Sequence, residues 1–220
     1  MTARTANVIL VAAAAVLSLA ALALVLGGCT STVPPVQPLV TVPVSQSATA
    51  APSPSGSPAP LLQVHDPGQV TGTLAGPCHA VGGGQLPDPG CTPGAYDPAI
   101  TAAILCAPGY TTRTYRPPSS ETSAFKWNIA EPAYGQAGVS GELDHLISLE
   151  LGGANDASNL WVEPGPIPNV KDGTENALHA WVCAASGAAA ETRLHEAQVA
   201  IAGDWITAER VLGIQSGGTP

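Results

Sequence analysis

Basic residues are scarce in this chain of 220 residues: seven Lys and Arg stand against sixteen Asp and Glu, a formal charge of −9. Arg4 is the only charged residue before Asp66, so the remainder carries −10 by itself. That balance gives no long-range attraction for nucleic acid and counts against any polynucleotide substrate. Aromatic residues make up only 4% of the chain, so little ring mass is available for a core. Charged side chains are missing altogether from residues 30–65, a stretch of Pro, Ser, Thr, Ala and Val with neither a helical nor a strand period. Such a stretch cannot bury a core and reads as a semi-extended tether, spanning about 35 Å as a coil and about 110 Å as polyproline. No Cys-x-x-Cys pair occurs, which argues against a structural zinc site. There is no internal repeat.

What is present begins with an apolar run, Val8 to Leu26, preceded by Arg4 and followed by Gly27-Gly28-Cys29. This pattern reads as an export signal, and its ending resembles the lipobox of bacterial lipoproteins. The resemblance implies a signal peptide over 1–28 and lipid modification of Cys29. An uncleaved membrane anchor is the competing explanation, because the run is long for a signal core. Both place the remainder outside the cytoplasm, and the lipoprotein reading anchors it to the membrane through its N-terminal lipid. Setting Cys29 aside leaves Cys78, Cys91, Cys106 and Cys183, an even number that suits an oxidising compartment. Four cysteines allow three pairings. The favoured one joins Cys78 to Cys91 and Cys106 to Cys183.

The tether is placed at 29–69, the folded domain at 70–213 and a flexible tail at 214–220. Through Pro118 the domain is dense in turn signals. A short helix is expected over 97–106, with Pro98 in its first turn. A short strand is expected over 109–118, stopped by Pro117 and Pro118. Leu143 to Ile147 reads as a strand, "LGGANDAS" as a turn-rich connector and "NLWVEP" as a second strand. A helix should begin after Pro168, with Asp172 and Glu175 as a capping box and Gly187 at its end. Ala190 to Val211 reads as a last helix with Leu194, Ala197, Ile201 and Trp205 on one seam. Trp161, Trp181 and Trp205 are expected in the core. Glu175 and His179, one turn apart, read as a helix-surface ion pair.

Strand, loop, strand and helix, with Asp144-His145 at the end of the first strand, resembles the HNH nuclease motif of the ββα-metal fold. The similarity is greatest to exported bacterial HNH-like proteins with a "DHLIPLELGG…NLWPEP…KD" pattern. Here it is carried by Asp144, His145, Glu150, Leu151, Gly152, Gly153, Asn159, Leu160, Trp161, Glu163, Pro164, Lys171 and Asp172. It extends from about Cys91 to Trp205, and its specific part is 142–172.

The resemblance implies an α+β fold with a ββα-metal core, flanking helices and a loop-rich, disulfide-supported N-terminal part. It also implies hydrolysis of phosphodiester bonds in DNA or RNA with one divalent cation, Mg²⁺ or alternatively Mn²⁺. Neutral imidazole at His145 can take a proton from water, and Asp144 can hold a hard cation through oxygen. In the family the middle Asn, here Asn159, pins the loop that aims the histidine. The third position, here Asn169, completes the metal site. Strand alternation sends Asp144 and His145 to opposite faces, so they share a cleft only where the strand ends or twists. Arg113, Arg116, Lys126 and Lys171 form a short basic set able to grip phosphate. Glu150 and Glu163 read as structural.

Two other functions fit the same residues. A non-catalytic binding or scaffold lipoprotein would keep the fold without cutting, and the acidic charge favours it. A hydrolase of small phosphoesters would tolerate an acidic surface better than a nuclease does. No protein partner can be inferred from the sequence.

Overall fold

The computed structural model describes residues 61–66, 68–138, 140–165 and 170–215. The signal peptide, Cys29, most of the tether, Asn169 and the end of the tail lie outside the described residues. The fold is α+β and carries two disulfides. In chain order its elements are β1 Leu62–Gln63, β2 Ala95–Tyr96, α1 Ala102–Leu105, α2 Ser119–Phe125, α3 Glu131–Ala133, β3 Gly141–His145, β4 Leu160–Pro164, α4 Lys171–Cys183, α5 Gly187–Asp204 and α6 Ala208–Val211.

β3 and β4 form an antiparallel pair, with Glu142 opposite Glu163, Asp144 opposite Trp161 and His145 opposite Leu160. β1 and β2 form a separate parallel pair. The fold therefore starts ahead of Val70, where the tether was expected to end. Thr71 bridges Asp156 in parallel fashion, donating its N–H to the Asn155 carbonyl at 2.9 Å and accepting the Ala157 N–H at 2.8 Å.

The largest apolar cluster joins the helices to the connector after β3. Leu105, Ile147, Leu151, Leu178, Val182, Leu194, Ile201 and Trp205 meet there. The seam on α5 is therefore real, but the helix stops at Asp204 and Ala208 starts a separate turn. A second cluster packs Phe125 and Ala130 against Leu160 and Val162 of β4. Trp161 is fully buried beside Tyr134 and Cys78, Trp205 is buried, and Trp181 is half-buried with the Arg193 guanidinium 4.9 Å above its ring.

Several local expectations fail for identifiable reasons. Residues 112–114 form a 3₁₀ turn instead of a strand, with Thr111 Oγ1 accepting from the Arg113 N–H. α1 is shorter than expected because Asp97 accepts the Ala99 N–H in a turn, and the helix begins only after Thr101, whose hydroxyl caps Ile104. The helical run 119–133 was not anticipated. It widens into a π turn over Lys126–Ala130 ahead of Pro132, which has no N–H to continue an α-helical ladder. α4 has no capping box: no side chain caps it, and Glu175 turns to Lys171 instead. Gly187, expected to end α4, opens α5 with φ +55°.

Both disulfides pair as favoured, Cys78–Cys91 with Cα atoms 5.9 Å apart and Cys106–Cys183 at 5.4 Å. Two disulfides fit an oxidising, extracytoplasmic environment. Among the described residues no helix is long and apolar enough to cross a membrane. The second disulfide closes a separation of 77 residues and ties α1 to α4. Replacing both of its cysteines by serine should lower unfolding free energy by about 4–5 kcal/mol, against about 3 kcal/mol for the shorter bridge. Urea midpoints of the two double variants would measure that order.

Candidate active site

The site is built where β3 ends. Leu146 donates its N–H to the Asn159 carbonyl at 2.8 Å, and the chain then turns through Leu149–Leu151 and Gly152-Gly153 before β4. Gly152 has φ +74°, a left-handed conformation that glycine adopts without strain. A side chain on Gly153 would collide with the Ile147 carbonyl. The paired glycines thus let the connector fold back tightly against β3.

Asn159 closes that turn from inside. It is fully buried; its Nδ2 donates to the carbonyls of Ile147 and Ala154, both at 3.0 Å. Its Oδ1 accepts the N–H of Ile147 at 2.9 Å and of Ala95 at 3.3 Å. All four hydrogen-bonding positions of the amide are filled by backbone. This is the arrangement expected of a loop-pinning residue.

His145 is buried, and its Nε2 lies 2.7 Å from Asn155 Oδ1. The direction of that bond follows from its neighbours. Asn155 Nδ2 donates to Asp66 Oδ2 and to the Tyr115 carbonyl, both at 2.7 Å, so the amide oxygen must face the imidazole. Nε2 therefore carries the proton, and Nδ1 is left as the basic nitrogen. No described residue hydrogen-bonds Nδ1. Burial holds the imidazole below its ordinary value, against the Asn155 bond and the Asp144 charge, so the ring is neutral at pH 7.

Asp144 and His145 do share a cleft. Both line a cavity of about 230 Å³, with Arg116, Glu142, Ser148, Glu150 and Asp172 among the other walls. A second cavity of about 370 Å³ adjoins it, lined by Ser119, Thr122, Ser123 and Lys126. Arg116, Glu142, Leu143 and His145 belong to both, so they stand at the junction.

Three carboxylates converge on the sheet. Glu142 lies two residues before Asp144, and Glu163 is the register partner of Glu142, so alternation sends all three to one face. One oxygen from each lies within 4.8 Å of the others. Burial and the charge of Asp144 push Glu163 up to about 8, and the same two causes raise Glu142. Lys171 supplies a buried counter-charge. Its fully buried Nζ lies 2.8 Å from Asp144 Oδ2, donates to the His145 carbonyl at 2.7 Å and pairs with Glu175. Burial raises Glu175 to about 7 although Lys171 draws it down. Lys171 itself is held protonated by Asp144 and Glu175, against the cost of its burial.

The expected site set is therefore only partly assembled. Asp144, His145 and Asn159 come together, and Arg116 joins them at the cavity junction. Lys171 cannot grip phosphate, because its ammonium is enclosed by protein oxygens. Arg113 is exposed but lines neither cavity. Lys126 lines the second cavity, although it also donates to the Gly141 carbonyl at 2.7 Å. Glu163, read as structural, is one of the three clustered carboxylates, and Glu150 lines the cavity. His179 faces the Leu105 carbonyl at 3.2 Å instead of Glu175. Asn155 and Asp66 carried no sequence signal. Glu142 did carry one: it stands two positions from Asp144 on a strand.

The raised carboxyls have a measurable consequence. Glu163 and Glu175 keep protons in the fold that the unfolded chain releases, so stability falls as pH rises from the ordinary value of 4.5 toward about 8 and about 7 respectively. His145 acts oppositely below its ordinary value of 6.5, since its lowered folded value makes acid destabilising. The fall is cleanest well above 6.5, where the imidazole is neutral in both states. Melting temperature in chelator should drop between there and pH 8, and Mn²⁺ should reduce the drop. A flat profile in chelator would contradict this.

Compared with protein-family models, with curated proteins and with solved structures, the chain has no match.

Proposed function

We propose that this domain is a metal-dependent phosphodiesterase acting on nucleic acid, built on an HNH-type ββα core of β3, β4 and α4. The observation that carries the proposal is the hydrogen bond of His145: Nε2 faces Asn155 Oδ1, which assigns the proton to Nε2, while Nδ1, without a partner among the described residues, belongs to a ring on the wall that also holds Asp144. The chemistry of the donor set suits a hard divalent cation, since Glu142, Asp144 and Glu163 offer only oxygen. Ser148, on the same wall, has a buried hydroxyl without a partner among the described residues. A divalent cation held there would offset the negative charge of the phosphate and the leaving oxygen.

The protein's own residues have separable tasks. His145 Nδ1 takes the proton from the attacking water. Asn159 keeps the connector folded so that the ring stays aimed. Arg116 offers a guanidinium to phosphate oxygens at the mouth of both cavities. The cavity walls include Glu142, Asp144, Glu150, Asp172 and Glu175, so a polyanion approaches only when cations screen them. Binding should be weak and salt-sensitive.

Lys171 favours a second reading. Its ammonium, 2.8 Å from Asp144 Oδ2, already supplies a cation to this carboxylate, as a metal-free scaffold would need. One experiment separates the two. The purified protein is incubated with plasmid, single-stranded DNA, single-stranded RNA and mononucleotides, in Mg²⁺, Mn²⁺ or chelator. Cleavage of polymers only with metal is the expected result. Turnover of mononucleotides alone would indicate a small phosphoesterase. No turnover, with no heat of Mn²⁺ binding by calorimetry, would leave the scaffold.

A further inference from the structure

Behind His145 lies a chain of hydrogen bonds that ends far away in sequence. Asn155 is buried, and its amide is oriented by two acceptors, Asp66 Oδ2 and the Tyr115 carbonyl. Asp66 Oδ2 also accepts the Asn155 backbone N–H at 2.8 Å, while Oδ1 accepts the Gly68 N–H at 2.7 Å. One carboxylate therefore grips both the main chain and the side chain of Asn155, across 89 residues of sequence.

We infer that Asp66 is a positioning residue which, through Asn155, dictates which imidazole nitrogen of His145 carries the proton. The Asn155 amide could present either its oxygen or its NH₂ to Nε2. An oxygen there demands Nε2–H and leaves Nδ1 basic. An NH₂ there demands the opposite tautomer, with the proton on Nδ1 and no base toward water. An anionic acceptor is the strongest partner available for the NH₂ end, so it fixes the amide with the oxygen toward the ring.

The segment that supplies Asp66 is held to the same connector a few residues later. Thr71 Oγ1 donates to Asp156 Oδ2 at 2.7 Å, beside the main-chain bonds of Thr71 to residues 155 and 157. Asp66 and Thr71 thus brace the back of the loop that carries Asn155, and the surroundings of His145 are assembled from segments far apart in the chain.

The inference rests on the proposed role of His145 as base, and the test separates the two. The full chain, labelled with ¹⁵N at histidine, is studied by NMR at a fixed pH above the ordinary imidazole range, in chelator. In the wild type the His145 shifts should show a proton on Nε2; a proton on Nδ1 would overturn the inference without any variant. In Asp66→Ala a substantial population should move to the Nδ1–H form. In Asp66→Asn, whose amide oxygen can still accept from Asn155, the wild-type tautomer should be largely kept. With substrate, Asp66→Ala should lose kcat by about tenfold or more, within the range that a general base contributes, while KM changes little. Asp66→Asn should recover most of that loss. An unmoved tautomer together with unmoved kcat in Asp66→Ala would reject the brace. If the wild type cleaves nothing, the nuclease proposal fails while the NMR result still decides the positioning.

Discussion

Replacing His145 by alanine should lower kcat for metal-dependent phosphodiester cleavage by about 10²–10⁴-fold, the contribution expected of a positioned general base. The substitution removes the one neutral imidazole on the cavity wall and leaves the three-carboxylate cluster intact, so metal binding by calorimetry should persist. Some stability should go with it. Asn155 Oδ1 loses its donor inside the fold, which costs about 1–3 kcal/mol for a stranded buried acceptor. The backbone pairing of residue 145 with Leu160 does not depend on the side chain. Activity measured well below the urea midpoint therefore isolates the chemical effect. Undiminished cleavage in this variant would remove His145 from the mechanism and the HNH-type reading with it.

The second large effect belongs to stability. Lys171→Met should destabilise the domain by about 3–5 kcal/mol near neutral pH, as expected when one partner of a buried ion pair is removed. Methionine fills much of the space of the lysine stem, so the loss is electrostatic. Asp144 and Glu175 would face each other without a counter-charge, and the His145 carbonyl would lose its donor. The deficit should shrink in acid, where Glu175 is protonated. Mn²⁺ should restore part of it if the carboxylates take a divalent cation, and none of it if they form a metal-free scaffold. Chemical denaturation of both proteins, in chelator and in Mn²⁺, gives the four numbers needed. An unchanged midpoint in chelator would mean that Lys171 is not the counter-ion its burial indicates.

The parts of this fold that were legible in the sequence are those whose causes are local. β3 and β4 were marked by short apolar runs on either side of a Gly-rich connector, and α5 by its seam from Leu194 to Trp205. The disulfide pairing was legible because the cysteines are few. Asn159 was found from its place in the motif, and its four backbone bonds explain why an amide is required there.

What could not be read depends on partners distant in the chain. Lys171 looked like a phosphate ligand because charge in a sequence carries no burial; only the approach of α4 to β3 shows it enclosed. Asp172 and Glu175 had the spacing of a capping box, yet a buried ammonium is a stronger partner for Glu175 than a helix-end N–H. Asp66 stood at the edge of a tether and had no local reason to matter. Residues 119–133 escaped notice because Pro132 interrupts the helical pattern, and the backbone accommodates it by a wider turn.

The Cys106–Cys183 bridge has one more consequence. Arg116, Glu142, Asp144, His145, Glu163, Lys171 and Glu175 all lie between its two ends, inside a single covalent ring. A protease that nicks any one peptide bond in that ring opens a loop without releasing a fragment. The nicked protein should migrate as one species on a gel until a reductant is added, so the candidate site outlasts a cut that would dismember an unbridged chain.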